Sequence, residues 1–162
     1  MRIFVNREPR QGPWGGGNKT LAGICEFLRK EGHEVFFDLV EGLDVLVCFD
    51  PRPDHRGIWY QTLWDYKQRY GSKIVQRVGD LGTHSKPELF DLVKQTIPHS
   101  DAVIFPSIWA RNHSQHTGNN FNIIPNRPSP IFYDHSDEIN TSIHKIPRVV
   151  THHWSNNPLK GF

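Results

Sequence analysis

Short apolar bursts alternate along this chain with stretches of helical period, and few folds accept that rhythm. Residues 2–6 (RIFVN), 33–40 (HEVFFDLV), 43–50 (LDVLVCFD), 72–80 (SKIVQRVGD), 100–107 (SDAVIFPS) and 121–125 (FNIIP) each stop at turn residues, as buried parallel strands do. Between them, Leu21, Ile24, Cys25 and Leu28 recur at helical spacing, with Asn18 placed as N-cap and Gly32 where a left-handed C-terminal residue belongs. Trp59, Leu63, Tyr66 and Tyr70 trace a second helical face before Gly71, which puts Trp59 in the core. Ser85 and Glu88 have capping-box spacing around Pro87 and open a third helix through Leu89, Leu92, Val93 and Ile97. Residues 110–120 read as the frayed end of a short fourth helix. Strands alternating with helices predict an α/β fold of three layers, with a mostly parallel sheet of about six strands and right-handed crossovers.

Three segments are expected: a domain over residues 1–125, a polar connection over 126–147 rich in breakers, and one further strand with the start of a helix over 148–162. A lone strand and half a turn cannot bury their own apolar side, so this last piece needs a partner surface.

At 162 residues, with 36% hydrophobic and 12% aromatic content, the chain can bury one sizeable core. Its formal charge of +2 is spread among interspersed acids and bases, which gives no electrostatic reason to expect nucleic acid. No apolar run approaches the ~18 residues a bilayer requires, and the N-terminus lacks a leader pattern. Cys25 and Cys48 sit at apolar positions without metal-type spacing, as buried free thiols in a reducing compartment would. A soluble, cytoplasmic protein is expected.

In parallel sheets ligands gather beyond the carboxyl ends of the strands. The relevant loops are REPRQGPWGGGN, DPRPDHRG, GDLGTHS and PSIWARN, after strands one, three, four and five. Gly15, Gly16 and Gly17 leave bare amides beside Asn18 at a helix start, which suits a diphosphate, with Arg7 and Arg10 nearby. The spacing is neither the dinucleotide G-x-G-x-x-G nor a P-loop, and a plain strand-to-helix turn is the competing reading. Asp80 and His84, near Arg77, are candidates for acid, base or hydroxyl-binding work; the plainer reading has Asp80 cap a turn and His84 satisfy a loop carbonyl. Trp109 is one of five tryptophans able to stack on a sugar or base. The ten histidines include HSQH at 113–116 and the pair His152 and His153, but no completing ligand set accompanies them, so no metal is expected.

Taken in order, MRIFVNREPRQGPWGGGNKTL, KIVQRVGDLGTH, SDAVIFPSIWARN and VVTHHWSNNPLKGF resemble a retaining GT-B glycosyltransferase of family 4, nearly end to end. The resemblance implies one Rossmann-like half of a two-domain enzyme that moves a sugar from a nucleotide-sugar donor to a glycan or other hydroxyl acceptor. The donor is a substrate, and no cofactor is implied. Residue by residue, Gly15, Gly16, Gly17 and Asn18 match the loop that approaches the donor diphosphate, and Lys160 looks like the lysine opening the donor domain. Asp80 and His84 fall among acceptor-side polar residues, and Arg7, Arg77 and Trp109 are expected there too. Two departures stand out. The E-x7-E region of the donor domain has no counterpart in this chain, and the N-G-V-D-like turn of relatives is here NRPS at 126–129. The chain by itself is therefore expected to be a half-enzyme with negligible transferase activity. The competing expectation is a non-catalytic carbohydrate- or nucleotide-binding module.

Overall fold

A computed structural model of the protein describes residues 1–12, 14–83 and 86–127. The expected Ser85 cap, His84, Lys160, the histidine pair, all but the first residues of the connection and the last strand lie outside them. The chain divides into two units, Met1–Pro125 and Asn126–Phe162, and the first holds every described strand and helix.

Six parallel strands form one open sheet: β1 (Arg2–Val5), β2 (Glu34–Phe36), β3 (Val45–Cys48), β4 (Lys73–Arg77), β5 (Ala102–Phe105) and β6 (Phe121–Ile123), in the order β2-β1-β3-β4-β5-β6. Four α-helices follow β1, β3, β4 and β5 in turn: α1 (Gly16–Lys30), α2 (Tyr60–Tyr70), α3 (Pro87–Thr96) and α4 (Ile108–His113). The expected α/β, Rossmann-like arrangement is thus observed, and every described pairing is parallel. Each strand is shorter than its apolar run, because the polar ends of the runs turn into loops.

The pleat sorts the side chains into two layers. Ile3, Val5, Val45 and Val47 face α1 and pack with Leu21 and Cys25. Phe4, Leu46, Cys48 and Ile74 face the opposite way against Leu63 and Tyr66 of α2, and farther along that face Val103 and Phe105 meet Leu89 and Val93 of α3 and Ala110 of α4. This division follows from connectivity. The step from β1 to β2 runs one way along the sheet and the steps from β3 to β6 run the other, so crossovers of one hand put α1, among the described helices, alone on its face.

Between the two apolar clusters lies a buried polar knot. Gln76, in the middle of β4, donates through Nε2 to Thr96 Oγ1 (2.9 Å) and accepts at Oε1 from Ser100 Oγ (3.0 Å). The Ser100 hydroxyl also lies 2.9 Å from Tyr60 Oη, so one network ties α2, α3 and β4 together. Each side chain has a partner, as burial demands.

Helix ends carry two corrections. Asn18 is not the N-cap of α1; the extended Gly15 is, and the helix starts at Gly16. Trp59 is not core: it precedes α2 at the rim, and Tyr60 takes the buried position instead. The C-terminus of α1 is as expected. Gly32 adopts φ +79°, its N–H reaches Arg29 O (3.0 Å) and His33 N–H reaches Leu28 O (3.0 Å), the paired bonds of a Schellman ending.

Candidate functional site

The sheet order reverses between β1 and β3, and there the loops leaving the two strands diverge and open a crevice. Asn6, the residue after β1, is fully buried and holds the crevice in shape. Its backbone N–H donates to Val47 O (3.1 Å). Its side-chain Oδ1 accepts from the N–H groups of Phe49 (2.8 Å) and Asp50 (3.3 Å), while Nδ2 donates to Asp50 O (2.6 Å). One amide side chain therefore fixes where the β3 loop leaves the sheet.

A cleft of about 470 Å³ lies above it, lined by Arg7, Glu8, Pro9 and Arg10 from the first loop and by Asp50 and residues 52–56 from the second. The second loop contains a twofold repeat, Asp50-Pro-Arg52 and Asp54-His-Arg56, and both halves fold alike. Asp50 Oδ1 accepts from Arg52 N–H (3.0 Å) and Nε (3.0 Å), and Oδ2 accepts from the guanidinium (2.7 Å). Asp54 accepts from Arg56 N–H (2.8 Å) and Nε (2.9 Å), and from Ile58 N–H (2.9 Å). An aspartate that bonds the N–H two residues on while forking the arginine side chain of that same residue makes a stiff turn. Prolines 51 and 53 stiffen it further.

Arg7 joins the first pair. It donates to Asn6 O (2.8 Å) and Arg52 O (2.5 Å), and lies 3.7 Å from Asp50. Arg56 also reaches Asp38 (2.9 Å) and Phe37 O (2.8 Å), tying the cleft to the end of β2. Burial pushes the Asp50 carboxyl upward, but its hydrogen bonds and charge contact with Arg52, and the Arg7 charge, outweigh this and hold it below the usual carboxylate range. Asp54 is lowered in the same way, burial opposing and the Ile58 and Arg56 bonds prevailing. Both carboxylates are held ionised.

The glycine run borders this loop. Asn18 Oδ1 accepts from Arg10 N–H (2.7 Å) and Nδ2 donates to Arg10 O (2.8 Å), so the side chain expected to cap the helix instead clasps the first loop to its first turn. Arg10 lies 5.0 Å over the Trp14 ring. Gly16 and Gly17 have no steric need to be glycine: a Cβ on either meets nothing within 4 Å, and neither has a positive φ. Their amides find no acceptor among the described residues.

The loops after β4 and β5 place the other expected residues. Asp80 accepts from Gly82 N–H (2.9 Å) and pairs with Lys86 (3.0 Å); burial opposes, but these bonds lower its pKa. Gly82 is required, since φ is +69° and a Cβ would fall 2.1 Å from Lys86 O. Asp80 thus caps its turn. Arg77 is buried with its guanidinium 5.0 Å over the Phe49 ring, and burial lowers its pKa. Trp109 is 59% exposed and stacks on His113 at 4.7 Å. His116, the other histidine of HSQH, is buried beside Phe105 and Phe121, away from that stack. Among the described residues no three His, Cys, Asp or Glu side chains converge on one point.

Arg7 is thus the expected site residue that joins the cleft, and Asn18 borders it through Arg10. Asn6, Asp50, Arg52, Asp54 and Arg56 were not expected from sequence. Their signal is the Asp-x-Arg repeat in a proline-rich loop, which reads as a turn until both aspartates are seen to fork the arginine two residues on. No family model, curated protein or solved structure matches the chain.

Proposed function

We propose that residues 1–125 form the acceptor-side domain of a retaining GT-B glycosyltransferase resembling family 4, whose substrates are a nucleotide sugar and a hydroxyl acceptor. The observation that carries this reading is the glycine pair opening α1. Glycine costs a helix up to about 1 kcal/mol per residue relative to alanine, and here neither packing nor backbone angle asks for it. Bare amides at a positive helix end are useful where a ligand must approach the backbone closely, and a donor diphosphate does so. The cleft between β1 and β3 then receives the acceptor, with Arg7 in its wall and Trp109 exposed beyond β5 as a stacking surface.

The carboxylates support binding rather than proton transfer. Asp50, Asp54 and Asp80 are all lowered in pKa, so each offers a hydroxyl an acceptor and none is poised as an acid or base near neutral pH. Bond cleavage would pass through an oxocarbenium-like transition state, its departing diphosphate stabilised by the glycine amides. The same low pKa values favour, as a second reading, a carbohydrate-binding module without chemistry of its own.

Calorimetric titration of the chain with UDP, GDP and simple glycans tests the proposal. Glycan binding without tight nucleotide binding is expected. Tight nucleotide binding by this chain, or measurable turnover of a nucleotide sugar, would sink it.

A further inference from the structure

We infer that the cleft between β1 and β3 selects an uncharged, polyhydroxylated acceptor over a phosphorylated or carboxylated one, a selectivity that rests on the acceptor-side reading and deepens it.

The lining excludes some ligands outright. Among the described lining residues two prolines are the only aliphatic side chains, so a lipid tail would find too little surface to bury against. Charge decides between the remaining classes. The Asp50 carboxylate engages Arg52 at 2.7 Å and Arg7 at 3.7 Å, and Arg56 lies 2.9 Å from both Asp54 and Asp38. Among the described residues, the lining side chains outside these pairs include one unpaired carboxylate, Glu8, and one guanidinium without a carboxylate partner, Arg10. Acids and bases around the cleft therefore balance once Asp38 is included, and no surplus positive field awaits an anion.

An anionic ligand seated on Arg52 or Arg56 would have to draw that guanidinium away from its aspartate, and the charge of Arg10, outside the pairs, is offset by Glu8 of the same lining. Asp50 and Asp54 are mostly covered, and stripping either of its arginine leaves a partly buried carboxylate uncompensated. A hydroxyl asks for no such exchange. It donates to a carboxylate oxygen and accepts from a guanidinium N–H, and forked Asp–Arg pairs present both groups side by side at fixed spacing. Because the pairs are already rigid, little side-chain freedom is lost on binding.

The test uses the full chain and nuclear magnetic resonance titration with methyl glucoside, methyl mannoside, methyl galactoside and the corresponding hexose 6-phosphates. At least one uncharged sugar is expected to move the backbone amides of residues 6–10 and 50–57. Its affinity should change less than about twofold between ~20 and ~300 mM NaCl, since paired charges leave little for salt to screen. The matching phosphate should bind about tenfold more weakly, because engaging Arg52 or Arg56 breaks an ion pair. A phosphate that binds more tightly, with affinity falling in salt, overturns the inference and leaves the acceptor-side reading standing. If no sugar of either kind moves those amides, both fall. Asp50→Asn adds a second arm: it frees Arg7 and Arg52 together, so preference should swing toward the phosphate, and an unchanged preference counts against the inference.

Discussion

Two fully buried side-chain amides in this protein do different work. Asn6 sits where β1 ends and bonds outward to the loop that builds the cleft, while Gln76 sits in mid-strand and bonds sideways to α2 and α3 through Ser100 and Thr96. Their partners decide the consequences. The groups that Asn6 satisfies are backbone N–H and C=O groups of Phe49 and Asp50 with no other described acceptor or donor, whereas Thr96 and Ser100 keep alternative bonds to Leu92 O (2.9 Å) and Thr96 O (3.3 Å). A polar knot that is the sole partner of loop backbone shapes a site; one that shares its partners only sharpens the packing.

Breaking the first knot gives the largest expected effect. Asn6→Leu strands two partly buried N–H groups and a C=O, which should cost about 2–4 kcal/mol of stability in urea unfolding. Whatever fraction remains folded should lose the amide shifts that sugar induces at residues 50–57. Asn6→Asp keeps the two accepted bonds and should recover part of the sugar response. A variant as stable as the parent would remove Asn6 from its role as the clasp of the cleft.

Gln76→Leu should cost less, about 1–2 kcal/mol, because each hydroxyl retains a partner. The contrast lies at the cleft, where sugar binding should be unchanged. Altered binding in Gln76→Leu would mean that the two knots are coupled through β3 and β4, and the distinction between them would fail.

How much of this was legible in sequence divides along the same line. Gln76 could be placed in a strand, and Gly32, Gly71 and the apolar period marked helix ends and layers, because those depend on local backbone preference and repeat spacing. The cleft depends on contacts across more than 40 residues, Asn6 to Asp50 among them, which no local pattern announces. Asn18 and Trp59 misled for a related reason: each has the right local preference for a cap or a helix face, but the Arg10 backbone takes the Asn18 side chain and the neighbouring Tyr60 takes the buried position.

Acid separates the ion pairs of the two regions. Near the rim Asp50 serves Arg52 and Arg7, and beneath the sheet's other end Asp101 serves Lys67 (2.6 Å), Lys73 (3.4 Å) and Ile74 N–H (2.8 Å). Both have folded pKa values below the unfolded one; burial opposes this in each case, and the partners just named outweigh it. Stability from such groups is therefore present above the unfolded carboxyl pKa of about 3.9 and is lost as pH falls through the folded value. Asp50→Asn should be less stable than the parent at neutral pH, by about 1 kcal/mol for a partly exposed pair. The two stability curves should converge below about pH 4. Parallel curves throughout would assign the acid sensitivity to the other lowered carboxylates, Asp101 among them, and leave the ionisation of Asp50 without effect on stability.

The smallest effect should carry the opposite sign. Gly16 and Gly17 occupy the first turn of α1 with open space where a Cβ would go, so Gly16→Ala with Gly17→Ala should stabilise the chain by about 0.5–1 kcal/mol, less than mid-helix glycines would yield. Thermal unfolding would show a small upward shift, and sugar binding at the cleft should persist. This double change measures directly what the two glycines cost the fold. Destabilisation would instead give the glycines a structural duty and remove the main support for a diphosphate at this helix end.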